Sequence, residues 1–459
     1  MEKELIINRL EAGFARVDVT PVLGIHMAGY LKERIAEGIL DELEINALAL
    51  CCAGETVLFL AMDVAHLHTA QCESFREHIE QETGVPSGHI FIHATHPHTG
   101  PVMEPYDGKE DPLFEEYYRF ADRRMTEAAI LAIRDLKPSR LGFGVSRAPG
   151  IAFIRRYRMK DGTVRTNPGV NNPDILCPVG EPDERVNVLR IDQKDGRSIV
   201  LVNYGNHPDT VGGSEISADW PGFMRRTVER TLDNTSCIFL NGAQGDVNHV
   251  NVFPKGGDLN DMILDFDDVS RGYGHARHMG NVVAGAVLQI YDKVEWTEVP
   301  SIKAASRSFE VPSNMADPSE LPLAHKYFDL HLAGRDEEIP YHGMLLTTVL
   351  AGARRMIQLE HGPESFSMTL IGAKVGPVAF IGIPGEPFTA IGTGLKEAED
   401  YSMVLPVCLT NGADGYYPMM DCYEEGGYET SGSPFKAGIG EIILKEGLSL
   451  LSELQRAGH

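Results

Sequence analysis

The stretch Ile90-Phe91-Ile92-His93-Ala94-Thr95-His96-Pro97-His98-Thr99-Gly100-Pro101 decides how this chain is read. An apolar run ends in a turn that carries His96 and His98, and Gly100-Pro101 stops the strand. Residues two apart in an extended chain face the same side. A metal or a reacting carbonyl in front of that turn could therefore meet both imidazoles. Histidine is the commonest metal ligand and the usual general base near neutral pH. A pair of polar, half-exposed turn residues is the plain alternative.

The same arrangement recurs along the chain. Ile199–Tyr204 is strand-like and runs into Asn206-His207-Pro208-Asp209, before a helix opened by Ser217-Ala218-Asp219. Ile238-Phe239-Leu240 runs into Asn241-Gly242-Ala243-Gln244-Gly245-Asp246-Val247-Asn248-His249, whose small residues let a ligand approach the backbone. Val378–Ile383 ends at Pro384-Gly385-Glu386-Pro387, and a glutamate held between Gly and Pro is poorly explained as solubilising charge. Leu409 leads into a loop carrying Tyr416 and Tyr428. Each item alone has a structural explanation, a satisfied core histidine or a glycine turn. Together they matter more, because sites in α/β folds collect at strand termini.

Between these strands lie helix-like segments at about 69–82, 112–136, 220–232 and 276–291, and a helix-rich insertion at about 313–362. Val186–Ile191 and Ser198–Asn203 read as a hairpin around Asp195-Gly196, and 256–271 as a long acidic loop. The fold class expected is α/β, mixed α+β, with large mixed sheets flanked by helices. At 459 residues, length alone suggests two or three domains or one large one.

Hydrophobic residues make up 43% and charged residues 23%, ordinary for a globular protein. The net charge of −25 argues against nucleic acid or an anionic membrane as partner. Seven cysteines without a CxxC pair fit reduced thiols. The start Met1–Arg9 has no signal-peptide core, and no apolar run nears the roughly 18 residues of a membrane helix. The expectation is a cytoplasmic protein with a small-molecule substrate. Its oligomeric state, homo-oligomer or monomer, stays open.

Read in order, these segments resemble the neutral ceramidase family, the neutral/alkaline non-lysosomal ceramidases. Ala12–Pro21 with Met27-Ala28-Gly29-Tyr30 is similar to the family's N-terminal signature, and His96–Pro101 to its HTHSGP motif. Asn206-His207-Pro208 with Ser217-Ala218-Asp219, Gly245-Asp246-Val247 and Pro384–Pro387 follow, and Gly415-Tyr416 and Tyr428 match its paired tyrosines by spacing. The resemblance implies one catalytic domain over 1–459, without the family's C-terminal immunoglobulin-like domain. It implies a zinc amidase, with the metal held by His96, His207, Glu386 and Tyr416. His98 would be the general base, Tyr428 the oxyanion donor, and Arg156 the residue that holds the amide. Asp246, Asn248 and His249 would meet substrate. Asn248 stands where the family has a serine, which excludes a serine nucleophile there and leaves metal-activated water. A cytosolic acidic protein suits a small polar amide better than ceramide. A metal-dependent esterase or lactonase on a sugar derivative, or a silent binding protein, remain as alternatives. The Arg155, Arg156, Arg158 and Lys160 cluster is either an anion contact or a solvated turn.

Overall fold

The structure is a computed structural model that describes residues 10–105, 111–194 and 196–456. Met1–Arg9 and Asp195 of the hairpin turn lie outside the described residues. Two sheets carry the fold. The first holds β1 (Glu11–Asp18), β2 (Glu44–Cys52), β3 (Glu55–Met62), β4 (Ile90–Ala94), β5 (Lys137–Arg147), β6 (Arg185–Gln193), β7 (Ser198–Tyr204), β8 (Thr235–Asn241) and β9 (Glu295–Thr297). Its order is β8-β7-β6-β5-β1-β2-β3-β4, with β9 beside β5. The second sheet is β10 (Ile302–Pro312), β11 (Ser365–Val375), β12 (Val378–Gly382) and β13 (Met403–Val407), in that order. The helices used below are α1 (Thr69–Thr83), α2 (Pro112–Arg134), α3 (Asp219–Thr231), α4 (Tyr273–Tyr291), α5 (Leu321–Leu332), α6 (Gly343–Gln358), α7 (Thr389–Lys396), α8 (Met420–Glu425), α9 (Tyr428–Gly432) and α10 (Ile439–Arg456).

Period-two alternation sends successive side chains into different cores. In β2, Ala47 and Ala49 join the cluster under α1 and α2, while Leu48 and Leu50 face the second sheet. In β7, Ile199 and Leu201 face the second sheet, and Val200, Val202 and Tyr204 pack under α3 and α4. In β12, Val378 and Phe380 face the first sheet, and Ala379 and Ile381 pack under α7 and α10. The result is four layers, helix–sheet–sheet–helix. Strands buried on both faces read as continuous apolar runs, which is why β3 and β12 look uniformly hydrophobic. At the centre of the inter-sheet layer Phe59 lies 4.5 Å from Phe380 and 4.8 Å from Phe91, ring centre to ring centre. Among the described residues no helix is long and apolar enough to cross a membrane.

The expected hairpin is β6–β7, antiparallel from Asn187–Asn203 to Asp192–Ser198. The segment 256–271 is irregular except for a short ladder pairing Ile263–Leu264 with Ser270–Arg271. The expected insertion is the helix pair α5–α6 between β10 and β11.

Three strand–helix–strand units position the site. The pairs β3–β4, β7–β8 and β12–β13 are parallel, crossed over by α1, α3 and α7. Parallel strands release their carboxyl ends at one edge, and one buried imidazole ties those edges together. His93 Nδ1–H donates to the Cys408 carbonyl at 2.8 Å, and its Nε2 accepts from the Asn241 N–H at 2.9 Å. Cys408 N–H donates to Asn241 O at 3.0 Å. The ends of β4, β8 and β13 are thus joined across the two sheets.

Burial pushes His93 down to about 3. In the unfolded chain an imidazole takes its proton near 6.5, so below that pH the unfolded state holds more protons and stability falls as pH falls. Urea unfolding between pH 7 and 5 is expected to show a slope steeper in wild type than in His93→Asn by about 1.4 kcal/mol per pH unit below 6.5. Equal slopes would show that His93 titrates normally in the fold.

Candidate metal centre

The turn after β4 does not continue the strand. His96 adopts φ +77°, left-handed backbone that a non-glycine residue enters at a cost of about 1–3 kcal/mol. The expected extended geometry is therefore replaced by a kink, and the kink turns His96 and His98 toward each other, Nε2 to Nε2 at 3.1 Å. Gly29 (φ +109°) passes over this turn; a Cβ there would stand 2.7 Å from that of His98, so only glycine lets the 27–30 segment close over the site. Arg34 fixes both segments by donating to Ala28 O and His98 O.

β7 delivers His207 and Asp209, and β12 delivers Glu386. Glu386–Pro387 pairs in parallel with Tyr416–Tyr417, which sets Glu386 beside Tyr416. Gly245 lies against this segment; a Cβ on it would meet the Glu386 carbonyl at 2.5 Å. The imidazoles of His96, His98 and His207 offer nitrogens within 4.8 Å of one another. Glu386 Oε2 lies 2.9 Å from His207 Nε2 and 3.6 Å from His96 Nε2. The Tyr416 ring lies 6.4 Å from that of His207, and Tyr428 lies 5.7 Å from Tyr416.

Protons on these rings can be assigned. His207 Nδ1 lies 2.9 and 3.0 Å from the carbonyls of Gln244 and Val247, and His96 Nδ1 faces the carbonyl of Ala65. Each Nδ1 is therefore the donor, and each Nε2 presents a lone pair. Burial lowers His96, so its ring is neutral at pH 7. Burial works to raise Glu386, but His96 and His207, when they carry a proton, together with Arg155 outweigh it and hold the carboxyl at about 2, so it is ionised at pH 7. Two lone pairs thus converge on a buried carboxylate oxygen that has no hydrogen-bond partner. Acceptors facing acceptors at that range fit a cation between them. The donor types, imidazole and carboxylate, suit zinc.

Behind His98 stands a charged group that motif reading missed. His98 Nδ1 lies 3.4 Å from Asp209 Oδ1. Asp209 accepts from Arg271 at 2.9 and 3.1 Å and from the Tyr30 hydroxyl. Burial would raise Asp209, yet Arg271 and His98 hold it well below its usual range. Burial in turn lowers His98 well below 6.5. Asp209 was visible two residues after His207; Arg271, inside a segment read as loop, gave no signal.

Arg156 stands behind Arg155, its Nε 3.9 Å from Glu429 Oε2. Its guanidinium binds Cys422 Sγ and Gly426 O and pairs with Glu425, bracing α8. Arg155 lies at the centre. It donates to Glu429 Oε1 at 2.6 Å and Gly245 O at 2.8 Å, comes within 3.5 Å of His207 Nε2, and sits over the faces of Tyr416 and Tyr428. Arg158 pairs with Glu425, and Lys160 is 4.0 Å from Asp174, so the basic cluster is neither one patch nor one turn. Asp246 accepts from the backbone and hydroxyl of Thr389 at 2.7 and 2.8 Å, which starts α7. Asn248 bonds Asn167 and the Val250 N–H, and His249 Nε2 bonds Ser270 O. These three residues are buried, and their bonds go to the protein around the cluster rather than to it.

Two clefts flank the centre. One of 1360 Å³ reaches Tyr30, whose ring lies 5.2 Å from that of His98. The other, 800 Å³, reaches Tyr416 and Tyr428. Arg354 of α6 borders both.

No protein-family model matches this chain, and no curated protein matches its sequence. Solved structures do share its architecture. It is similar to the neutral ceramidase from Pseudomonas aeruginosa with a TM-score of 0.71 and 16% identity, over 98% of this chain and 75% of that one. It is similar to a ceramidase complexed with C2 with a TM-score of 0.69 and 14% identity, over 97% and 76%. The chain has a neutral ceramidase-like fold.

Glu429 is fully buried between Arg155 and the Thr166 hydroxyl, which donates to it at 2.8 Å. Glu429→Gln would remove the carboxylate that Arg155 binds directly. A loss of about 3–5 kcal/mol of unfolding free energy is expected in a denaturant titration. An unchanged midpoint would show that Arg155 does not need this partner.

Proposed function

We propose that this chain is a zinc-dependent hydrolase that cleaves the carbon–nitrogen amide bond of a small polar substrate. The observation that carries the proposal is the unpartnered Glu386 oxygen facing the Nε2 lone pairs of His96 and His207, with the His98–Asp209 pair beside it. His96, His207, Glu386 and Tyr416 would hold the metal. A zinc ion so held makes a water more acidic and polarises a carbonyl.

The chain's own residues account for the proton transfers. His98, neutral because it is buried, takes a proton from the attacking water at Nε2 while the oxygen bonds to the carbonyl carbon. Asp209, kept ionised by Arg271, stabilises the imidazolium from the Nδ1 side. The carbonyl oxygen becomes an oxyanion. Burial pushes the Tyr428 phenol up to about 12, so it stays a donor and can hydrogen-bond that oxygen. The carbon–nitrogen bond then breaks, and the amine leaves with the proton from His98. Arg155 adds positive charge behind both tyrosines.

A polar substrate is supported by the cleft wall. Lys32, Glu33, Glu104, Asp268, Asp336 and Arg354 line the larger cleft beside apolar groups such as Leu31, Phe266, Phe328, Leu346 and Ile357, so the charged groups give polar parts of a substrate partners there.

Three results test this reading. Wild-type protein purified without added metal is expected to retain zinc through dialysis against a weak chelator, and His207→Ala to lose it. A wild type that takes up no metal would leave a binding protein as the better reading. Tyr428→Phe is expected to lower kcat about 10²–10³-fold with KM nearly unchanged. Paired amide and ester isosteres separate an amidase from an esterase or lactonase, and ceramide turnover faster than that of every polar amide tested would remove the polar-substrate reading.

A further inference from the structure

We propose that the chain holds a second divalent transition-metal ion, in a site made by His66, His68 and Glu104 on the wall of the larger cleft. One donor atom from each of the three lies within 4.8 Å of the other two. Ligand atoms around one tetrahedral zinc, at ~2.0–2.1 Å from it, stand ~3.4 Å apart, and His68 Nε2 and Glu104 Oε2 are already 3.1 Å apart.

Local structure explains the convergence. His66-Leu67-His68 is extended coil between β3 and α1, with His68 at φ −72° and ψ 154°. Leu67 is 1% exposed and anchored in the core under α1 and α2. Period two then leaves His66 and His68 on the opposite side, together. Glu104 arrives from a different segment, and Gln71 ties the two segments. Its Oε1 accepts from the His68 N–H at 2.9 Å, and its Nε2 donates to the Met103 carbonyl. The backbone is thus placed by bonds that use none of the three donor atoms.

His68 Nε2 is buried with no hydrogen-bond partner, although Glu104 Oε2 is 3.1 Å away. His66 and Glu104 line the cleft, so the remaining coordination positions would face it. Two imidazoles and a carboxylate suit zinc.

The site is coupled to the first by one peptide unit. The carbonyl of Ala65, which orients His96, belongs to the residue before His66. A second cation there adds repulsion to the first, so it is expected to bind more weakly. Its open face could hold an oxygen of a substrate lying in the cleft. The inference stands on this cluster alone and does not need the hydrolase reading.

Zinc titration of the chelator-treated full chain, followed by elemental analysis and calorimetry, tests it. Wild type is expected to bind about two zinc ions, the second at least tenfold more weakly. Glu104→Gln and His68→Ala should each bind about one, the tight one, with unchanged circular dichroism. His207→Ala, read separately, should lose the tight ion and keep the weak one. One ion in wild type and in both cleft variants would overturn the proposal. So would two ions that persist in both variants, since the second would then lie elsewhere. Absence of the tight ion with survival of the weak one would count against the first centre only.

Discussion

Everything at the candidate metal centre depends on two sheets being held in one register at their carboxyl edges, and His93 is the group that does it. A neutral imidazole has one donor and one acceptor on opposite sides of a rigid ring. Here the donor reaches the end of β13 and the acceptor the end of β8, while the backbone of His93 lies in β4. Neighbouring amides repeat the stitch. Asn203 donates to both Leu240 O and Pro406 O, and Asn411 bonds Ile90 and Ile92 in β4. The apolar layer between the sheets is large but non-directional. These polar contacts are directional, and they determine where the strand ends stop relative to one another.

Around that edge the protein keeps several charges out of water. Buried ions are tolerated when each has a partner and its remaining donors or lone pairs are used. Arg271 meets Asp209 on one side and Asp267 on the other. Arg155 meets Glu429, whose second oxygen takes the Thr166 hydroxyl. A chain with a net charge of −25 thus places its positive groups where carboxylates would otherwise repel one another. Glu386 Oε2 is one of several buried polar atoms around the site without a hydrogen-bond partner, with His98 Nδ1, Asn206 Oδ1 and Gln244 Nε2, and of these it is the one that carries charge.

Much of this was legible in sequence, for a physical reason. A buried strand announces itself by an apolar run, and its polar tip by Gly, Pro, His, Asp or Glu immediately after. His96, His207 and Glu386 follow that grammar, Tyr416 sits in the loop after the last strand, and the structure brings their side chains into one neighbourhood. What sequence did not show depends on contacts across long separations. Asp209 meets Arg271 sixty-two residues later, and Arg155 meets Glu429 across 274. Arg155 and Arg156 are adjacent and chemically identical, so only the direction of the chain decides which one enters the centre. The left-handed turn at His96 was hidden as well, because local pattern favours extended chain before Pro97.

The spacing of the four residues has a consequence for how such a protein is made. His96, His207, Glu386 and Tyr416 lie far apart along the chain, and the sheet that carries the last two is built from strands after residue 301. A ribosome releases the first imidazole long before the carboxylate that faces it. During that interval the first sheet has an uncovered apolar face, the one that Phe380 and Leu405 later close. Such a nascent chain invites aggregation or capture by holdase chaperones. It cannot trap an ion in the finished geometry until the chain past Tyr417 has emerged. If the site takes a metal, metallation would belong to the end of biosynthesis, and the supply of metal would act on a protein that has already folded.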